Sequence, residues 1–422
     1  MVACAIPKLG GARMKELSRS DDLVASNLTS KQSQSEAVDT VVVIVNQAWV
    51  AWKFRSRLMQ RLRSIGQRVV LLTDCSAGRF TLADVCDELI DVPMAATRIA
   101  PWTDLATLRR YARELARLKP VAVLTFTIKP NIYGALVSHH IGLPVIANVT
   151  GLGSVKGRGW LVGSLVKLLY RLALRKNRWV YFQNPHDAAE LRALGLVPEG
   201  RWSILPGSGV DVSRYRPELR RLEPGRLCFC MLARLLRDKG VVEFAEAARE
   251  VRRTRPDVQF ELWGILNAAD MRCVSASEVA AWEAEGLLIF RGEALDAVQA
   301  FEAADVVVLP SYYPEGLPRT LLEAAAMELP VITTDMPGCR DAVVDGVTGL
   351  LCAPCDAMAL AAAMLLLVDM PPELRAAMGV AARARALAQF DESLVLDTYV
   401  HRVAEVSCAP AADRDVGSLG TI

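Results

Sequence analysis

Short β-branched runs alternate with helix-period stretches along this chain. Val41–Val45 is followed by apolar residues at Phe54, Leu58, Leu62 and Ile65, then by Gly66 and a second apolar run, Val69–Leu72. That order predicts strand, helix and strand, a βαβ unit. Val121–Phe126, Val145–Asn148, Val180–Gln183 and Ser203–Leu205 continue the strand series, with a helix over Asn131–Ile141 that Gly142 and Pro144 end. The runs are apolar throughout instead of alternating, as strands buried on both faces require, and a hydrophobic fraction of 52% supplies them and their covering helices.

The pattern fails between Asp211 and Gly225, where Pro, Arg and Glu dominate, and then restarts. Strands are expected at Leu227–Leu232, Gln259–Trp263, Leu287–Phe290, Val306–Leu309 and Val331–Thr334. Helices are expected at Val241–Arg253, Arg319–Met327, Asp356–Val368, Pro372–Gln389 and Glu392–Val406. A chain of 422 residues is too long for one ordinary core, so the rhythm reads as two doubly wound, Rossmann-like α/β domains. The expected units are a polar, Ser-rich tail (1–39), a first domain (40–210), a second domain (211–390), and a final helix and tail (391–422) packing back toward the first. Ligands of such sheets sit beyond the carboxyl ends of the strands, so two facing domains place the site in the cleft between them.

Composition excludes some classes. A net charge of +2 and 6% aromatic residues give neither the electrostatic drive nor the stacking platforms for nucleic acid. No run reaches bilayer-spanning length, and the first residues lack the apolar core of a secretory signal. The ten cysteines form no framework. Cys352 and Cys355 make C-A-P-C without a second pair, so reduced cysteines and a cytoplasmic chain are expected.

Chemistry concentrates in PSYYPEGLPRTLLEAAAMELPVITTDMPGCRD, Pro310–Asp341. A buried strand ends at Pro310, a loop with Gly316 and Pro318 follows, and a helix opens near Arg319. Its unpaired first-turn amides suit an anion such as a diphosphate. Glu315 at the mouth and Glu323 one turn inside can accept hydrogen bonds from sugar and ribose hydroxyls; equally, they can be helix-start acids complementing the dipole. Upstream, CFCMLARLLRDKG (Cys228–Gly240) carries Arg234 and Lys239 from a strand end toward the next helix. Two cations there can stabilise the charge on a departing phosphate, or form a solvated basic loop.

The longer segment resembles glycosyltransferase family 4, the retaining enzymes of GT-B fold, through Glu315-x7-Glu323 within P-S-x-x-x-E-G-L-P-R-x-L-L-E-A-A-A-M and through Pro330–Leu351. The resemblance implies that Glu315 contacts the donor sugar and Glu323 the ribose. The Gly316 and Leu317 amides would lie near the diphosphate and Pro318 in the donor site, with Arg234, Lys239 and Glu315 catalytic. TFTIKPNIYG (Thr125–Gly134), NVTGLGSV (Asn148–Val155), YFQNPHD (Tyr181–Asp187) and LPGSGVD (Leu205–Asp211) together resemble the subgroup that extends polyprenyl-diphosphate-linked saccharides. That implies a UDP-sugar donor, a lipid-diphosphate saccharide acceptor, and no metal or cofactor. Gly207 and Gly209 would add donor contacts, and Lys129, Gly151 and Gly153 acceptor or diphosphate contacts. Where many members have a Gly-rich loop after the first strand, this chain has Asn46-Gln-Ala-Trp-Val. The family's frequent helper histidine has only His139 and His140 as candidates. Glu328 stands where Gly is common.

Seven basic residues and no acidic ones lie between Lys156 and Arg178. Lys167, Arg171 and Arg175 share one helix face, and Leu161, Leu165, Leu168 and Leu172 line another. With Trp160 at its start, this helix fits an anionic membrane interface, and equally a core helix with a solvated basic face. The same architecture also serves sugar-nucleotide 2-epimerases. A nicotinamide enzyme is the poorer fit, because no G-x-G-x-x-G follows Val41–Val45.

Overall fold

The computed structural model describes residues 38–76, 82–95, 100–151, 159–221, 226–267 and 270–408, with backbone only at 159–162. The expected terminal tail lies outside these residues except at 38 and 39, as do Gly153, Lys156 and Arg158.

Among the described residues, seven parallel strands form the first sheet. They are β1 (Thr40–Ile44), β2 (Arg68–Thr73), β3 (Glu88–Asp91), β4 (Ala122–Phe126), β5 (Val145–Val149), β6 (Trp179–Phe182) and β7 (Trp202–Ile204). Their order is β3-β2-β1-β4-β5-β6-β7. β1 pairs with β2 from Thr40↔Arg68 and with β4 from Val41↔Ala122, so the winding reverses between β1 and β4. Helix α1 (Ala48–Ser64) covers one face, where Val41 and Val43 pack on Ala51, Leu58 and Leu62. α2 (Pro101–Leu118) and α3 (Ala135–His140) cover the other, against Val42 and Ile44, and α4 (Gly159–Leu174) adds Ala173 there. A π-helical turn, Pro130–Gly134, precedes α3. α5 (Pro185–Ala193) is capped by Asn184, whose side chain accepts from the Asp187 amide.

The second sheet has β8 (Cys228–Leu232), β9 (Gln259–Trp263), β10 (Ile289–Gly292), β11 (Val306–Leu309), β12 (Val331–Thr334) and β13 (Gly349–Cys352), in the parallel order β10-β9-β8-β11-β12-β13. Around it run α6 (Val241–Thr254), α7 (Ala276–Ala284), α8 (Ala297–Phe301), α9 (Arg319–Ala326), α10 (Ala357–Asp369) and α11 (Pro372–Arg385). The last helix, α12 (Glu392–Cys408), places Val395, Tyr399, Val403 and Val406 in the core of the first sheet, beside α1. The chain therefore passes between the sheets twice, and the two passages lie side by side. Val210 donates to Phe390 O (2.8 Å) and accepts from the Glu392 amide (3.0 Å).

The fold class is the expected one; some elements are not. β3 is a four-residue edge strand, and α2 buries Asp104, Thr107 and Glu114 along with its apolar residues, which blurs its helical period. β10 begins two residues later than the apolar run suggests, because Leu287 and Leu288 are buried in the connection before it. Glu328 adopts φ 59°, the left-handed conformation in which a glycine would end α9 without strain.

Candidate active site

Both winding reversals open onto the same cleft. From the first sheet, the loops after β1 (Asn46), β4 (Thr127, Ile128, Lys129) and β5 (Thr150, Gly151) line a pocket. Tyr313, Pro314, Glu315 and Gly316, past the end of β11, close it from the other side. Doubly wound sheets form a crevice where neighbouring loops diverge to opposite faces, and here two crevices meet.

The second-domain wall carries the charge. Gly240, at φ 80°, opens α6; a Cβ there would lie 2.2 Å from Pro310 O, so only glycine lets this turn pack on the β11 loop. That packing brings Lys239 to Glu315. Lys239 donates to Glu315 Oε1, and Ser311 donates to the same oxygen at 3.3 Å. The ammonium also lies 5.2 Å from the Tyr313 ring centroid. Burial first, and the Arg234 guanidinium second, push Lys239 down to about 8, while Cys339 and Asp238 oppose them. Arg234 is exposed, and its guanidinium forms no hydrogen bond or ion pair among the described residues.

The loop between Glu315 and α9 is held from across the cleft. Asn184 Nδ2 donates to Glu315 O (3.1 Å) and Gly316 O (3.0 Å). Because trans peptides are planar, fixing these carbonyls turns the Gly316 and Leu317 amides the opposite way. Neither amide donates a hydrogen bond among the described residues. A Cβ on Gly316 would lie 2.2 Å from Gln183 Oε1 and 2.6 Å from Thr150 O, and one on Gly151 would lie 2.9 Å from Gly316 N. The domains meet backbone to backbone at these two glycines. Gly207 faces Leu317: a Cβ on this glycine would lie 3.5 Å from the Leu317 carbonyl oxygen.

Glu323 sits inside α9 with 6% exposure. Arg319 donates to its Oε1 (2.8 Å). Burial raises its carboxyl above the usual range despite Arg319 and Lys53. Arg319 also donates to Lys53 O (2.9 Å), tying α9 to α1.

Other expected site residues fall elsewhere. Gly209 is at the double passage, where a Cβ would come 2.5 Å from Glu392 Cα; close chain packing explains it without a ligand. His139 ends α3 beside Lys176 and Asn177, away from the pocket lining, and burial pushes its imidazole down to about 4. Lys129 does line the pocket, but its ammonium lies 2.5 Å from Asp104, both side chains being largely buried. Its charge is paired there with that carboxylate. Sequence reasoning assigned no role to Asn184, Arg319 or Asp104. Asn184 lies within Y-F-Q-N-P-H-D, and Asn-Pro before a helix is a capping signal, but nothing local shows what the amide reaches. Among the described residues, no group of three His, Cys, Asp or Glu side chains is placed to hold a metal ion.

Two family profiles match successive parts of the chain: "Glycosyl transferase 4-like domain" over residues 51–207 and "Glycosyl transferases group 1" over residues 218–385. N,N'-diacetylbacillosaminyl-diphospho-undecaprenol alpha-1,3-N-acetylgalactosaminyltransferase of Campylobacter jejuni is 26% identical over 365 residues, covering 83% of this chain and 94% of that one. UDP-Gal:alpha-D-GlcNAc-diphosphoundecaprenol alpha-1,3-galactosyltransferase of Escherichia coli is 26% identical, covering 61% and 69% respectively. Sucrose-phosphate synthase of Thermosynechococcus elongatus superposes with a TM-score of 0.75 at 20% identity, over 88% of this chain and all of that one, and shows the shared fold. Fold and cleft thus define a GT-B glycosyltransferase. The chain belongs to glycosyltransferase family 4 and is a hexosyltransferase; the epimerase alternative finds no support.

Proposed function

We propose that this enzyme moves a hexosyl or N-acetylhexosaminyl group from a UDP-sugar to a polyprenyl-diphosphate-linked saccharide, with retention at the anomeric carbon and without a metal. The observation that carries the donor site is the Lys239–Glu315 contact beside two amides, Gly316 and Leu317, that have no partner among the described residues. Names of both relatives specify diphosphoundecaprenol acceptors, and one specifies a UDP-sugar. The donor diphosphate lies against Lys239, Arg234 and these amides. As the bond from the anomeric carbon to phosphate oxygen breaks, charge builds on that oxygen and the two cations and amides stabilise it. Glu315, released from Lys239 by the phosphate, accepts from donor-sugar hydroxyls. Glu323 keeps one oxygen for Arg319 and offers its remaining capacity to the ribose diol. The acceptor hydroxyl attacks the same face and its proton passes to the leaving phosphate oxygen.

A lipid acceptor requires the enzyme at a membrane, and α4 supports that reading. Tyr170, Ala173 and Leu174 face the core, while Leu165, Leu168 and Leu172 are 48%, 53% and 53% exposed beside the exposed Lys167, Arg171 and Arg175. Core-packed leucines would not be open to solvent. Leucines flanked by cations suit an anionic leaflet, each cation contributing about 1 kcal/mol near its surface. Among the described residues, no single helix is long and apolar enough to cross a membrane. The exposed leucines and cations of α4 support reading the enzyme as a peripheral protein on the cytoplasmic face. Two experiments test the transfer and the docking. Fast UDP release from a panel of UDP-sugars is expected only with lipid-linked acceptor, against slow hydrolysis without it, and acceptor-independent sugar interconversion would overturn it. Replacing Lys167, Arg171 and Arg175 with Gln is expected to abolish co-sedimentation with anionic vesicles; undiminished sedimentation would refute the docking.

A further inference from the structure

Two side-chain oxygens at the first-domain wall of the cleft have no partner. Asn46 Oδ1, just past β1, and Thr127 Oγ1, just past β4, are buried and form no hydrogen bond among the described residues. Both residues line the pocket that Glu315 closes from the opposite side. Buried polar atoms of this kind are completed by water or by a ligand, and these two belong to residues that line one pocket. Thr127 also holds φ 72°, a conformation a β-branched residue rarely enters. Glycine would sit there without strain. What threonine adds is its hydroxyl.

The charge at this wall selects the kind of ligand. Lys129 is neutralised by Asp104, leaving an amide oxygen and a hydroxyl beside a closed ion pair. Uncharged acceptors and donors of this type suit the hydroxyls of a polyol. We propose that Asn46 and Thr127 form a saccharide-reading pair: Asn46 accepts from one hydroxyl of a sugar in the cleft, and Thr127 exchanges a hydrogen bond with another. The inference rests on the transfer reading and adds the residues that position a saccharide for it. Acceptor and donor sugars share this chemistry, and the experiment separates them.

Thr127→Val keeps the branch and the strain but removes the hydroxyl; Thr127→Ser keeps the hydroxyl; Asn46→Ala removes the amide. Each is assayed for transfer to lipid-linked acceptor, for acceptor-free hydrolysis of the UDP-sugar, and for UDP affinity as a measure of intact folding. Thr127→Val and Asn46→Ala are expected to lower transfer kcat/KM by about tenfold each, the loss of one hydrogen bond, with UDP affinity unchanged and activity restored in Thr127→Ser. A rise confined to acceptor KM assigns the pair to the acceptor; an equal loss in donor hydrolysis assigns it to the donor sugar. Transfer by Thr127→Val and Asn46→Ala within about twofold of wild type would overturn the pair alone. Absence of any turnover by the wild-type enzyme would overturn the transfer reading together with it.

Discussion

Replacing Lys239 with Met removes the buried cation at the centre of the cleft and keeps most of its volume. Lys239 and Arg234 are proposed to face the same leaving oxygen, but their surroundings differ. The lysine side chain is 12% exposed, whereas Arg234 is solvent-exposed. Charge stabilisation is larger where water is excluded, so Lys239 falls at the top of the range for one oxyanion donor, about 4 kcal/mol, and Arg234 at the bottom, about 2.7 kcal/mol. Single-turnover UDP release should therefore slow about a thousandfold in Lys239→Met and about a hundredfold in Arg234→Met. Stability should fall as well in Lys239→Met, because the largely buried Glu315 carboxylate loses its partner. A melting scan beside the kinetics separates the two effects. Rates within about threefold of wild type, or the reverse ranking, would refute the reasoning.

Other expectations follow from particular contacts. Lys239 is cationic below its pKa and neutral above it, so kcat/KM for the donor should hold below about pH 8 and fall above it, and the limb should vanish in Lys239→Met; a flat profile to about pH 10 in the wild type would contradict this. Asn184→Ala loses the α5 cap and both bonds to the Glu315–Gly316 carbonyls, which should lower stability by about 2–3 kcal/mol in denaturant titration and raise the KM for the UDP-sugar. Gly316→Ala forces the Thr150 carbonyl and Gln183 apart from the loop at a cost of roughly 1–3 kcal/mol, read as reduced kcat/KM with a lower Tm. Glu328→Gly relieves the left-handed conformation after α9 and should raise stability by about 1 kcal/mol in the same titration, against little lost from the long Arg383 pairing at 3.8 Å.

What the sequence conveys well here is whatever local spacing determines. Buried parallel strands such as Val41–Ile44 and Val306–Leu309 are apolar at every position, so they stand out, and the helix mouth after Pro318 follows from a loop-to-helix transition. Lys239 and Glu315 could each be singled out, but 76 residues separate them, and their contact depends on Gly240 packing over Pro310. Asn184 reaches 131 residues along the chain to hold the donor loop, and no periodicity encodes such a contact. Lys129 and Gly209 resemble ligand contacts because basic residues and glycines near strand ends often are. In the fold Lys129 is paired with the buried carboxylate of Asp104 and Gly209 is packed against Glu392, contacts that local sequence does not show. α2 is obscured in the sequence because its buried face is partly polar, Asp104 among it.

Where the donor diphosphate binds decides the mechanism, and a crystal structure of the enzyme with UDP measures that directly. The β-phosphate is expected within about 3 Å of Lys239 Nζ and of the Gly316 or Leu317 amide, with Glu315 turned away from the lysine. A diphosphate bound elsewhere, with Lys239 and Glu315 still joined, would contradict the central claim.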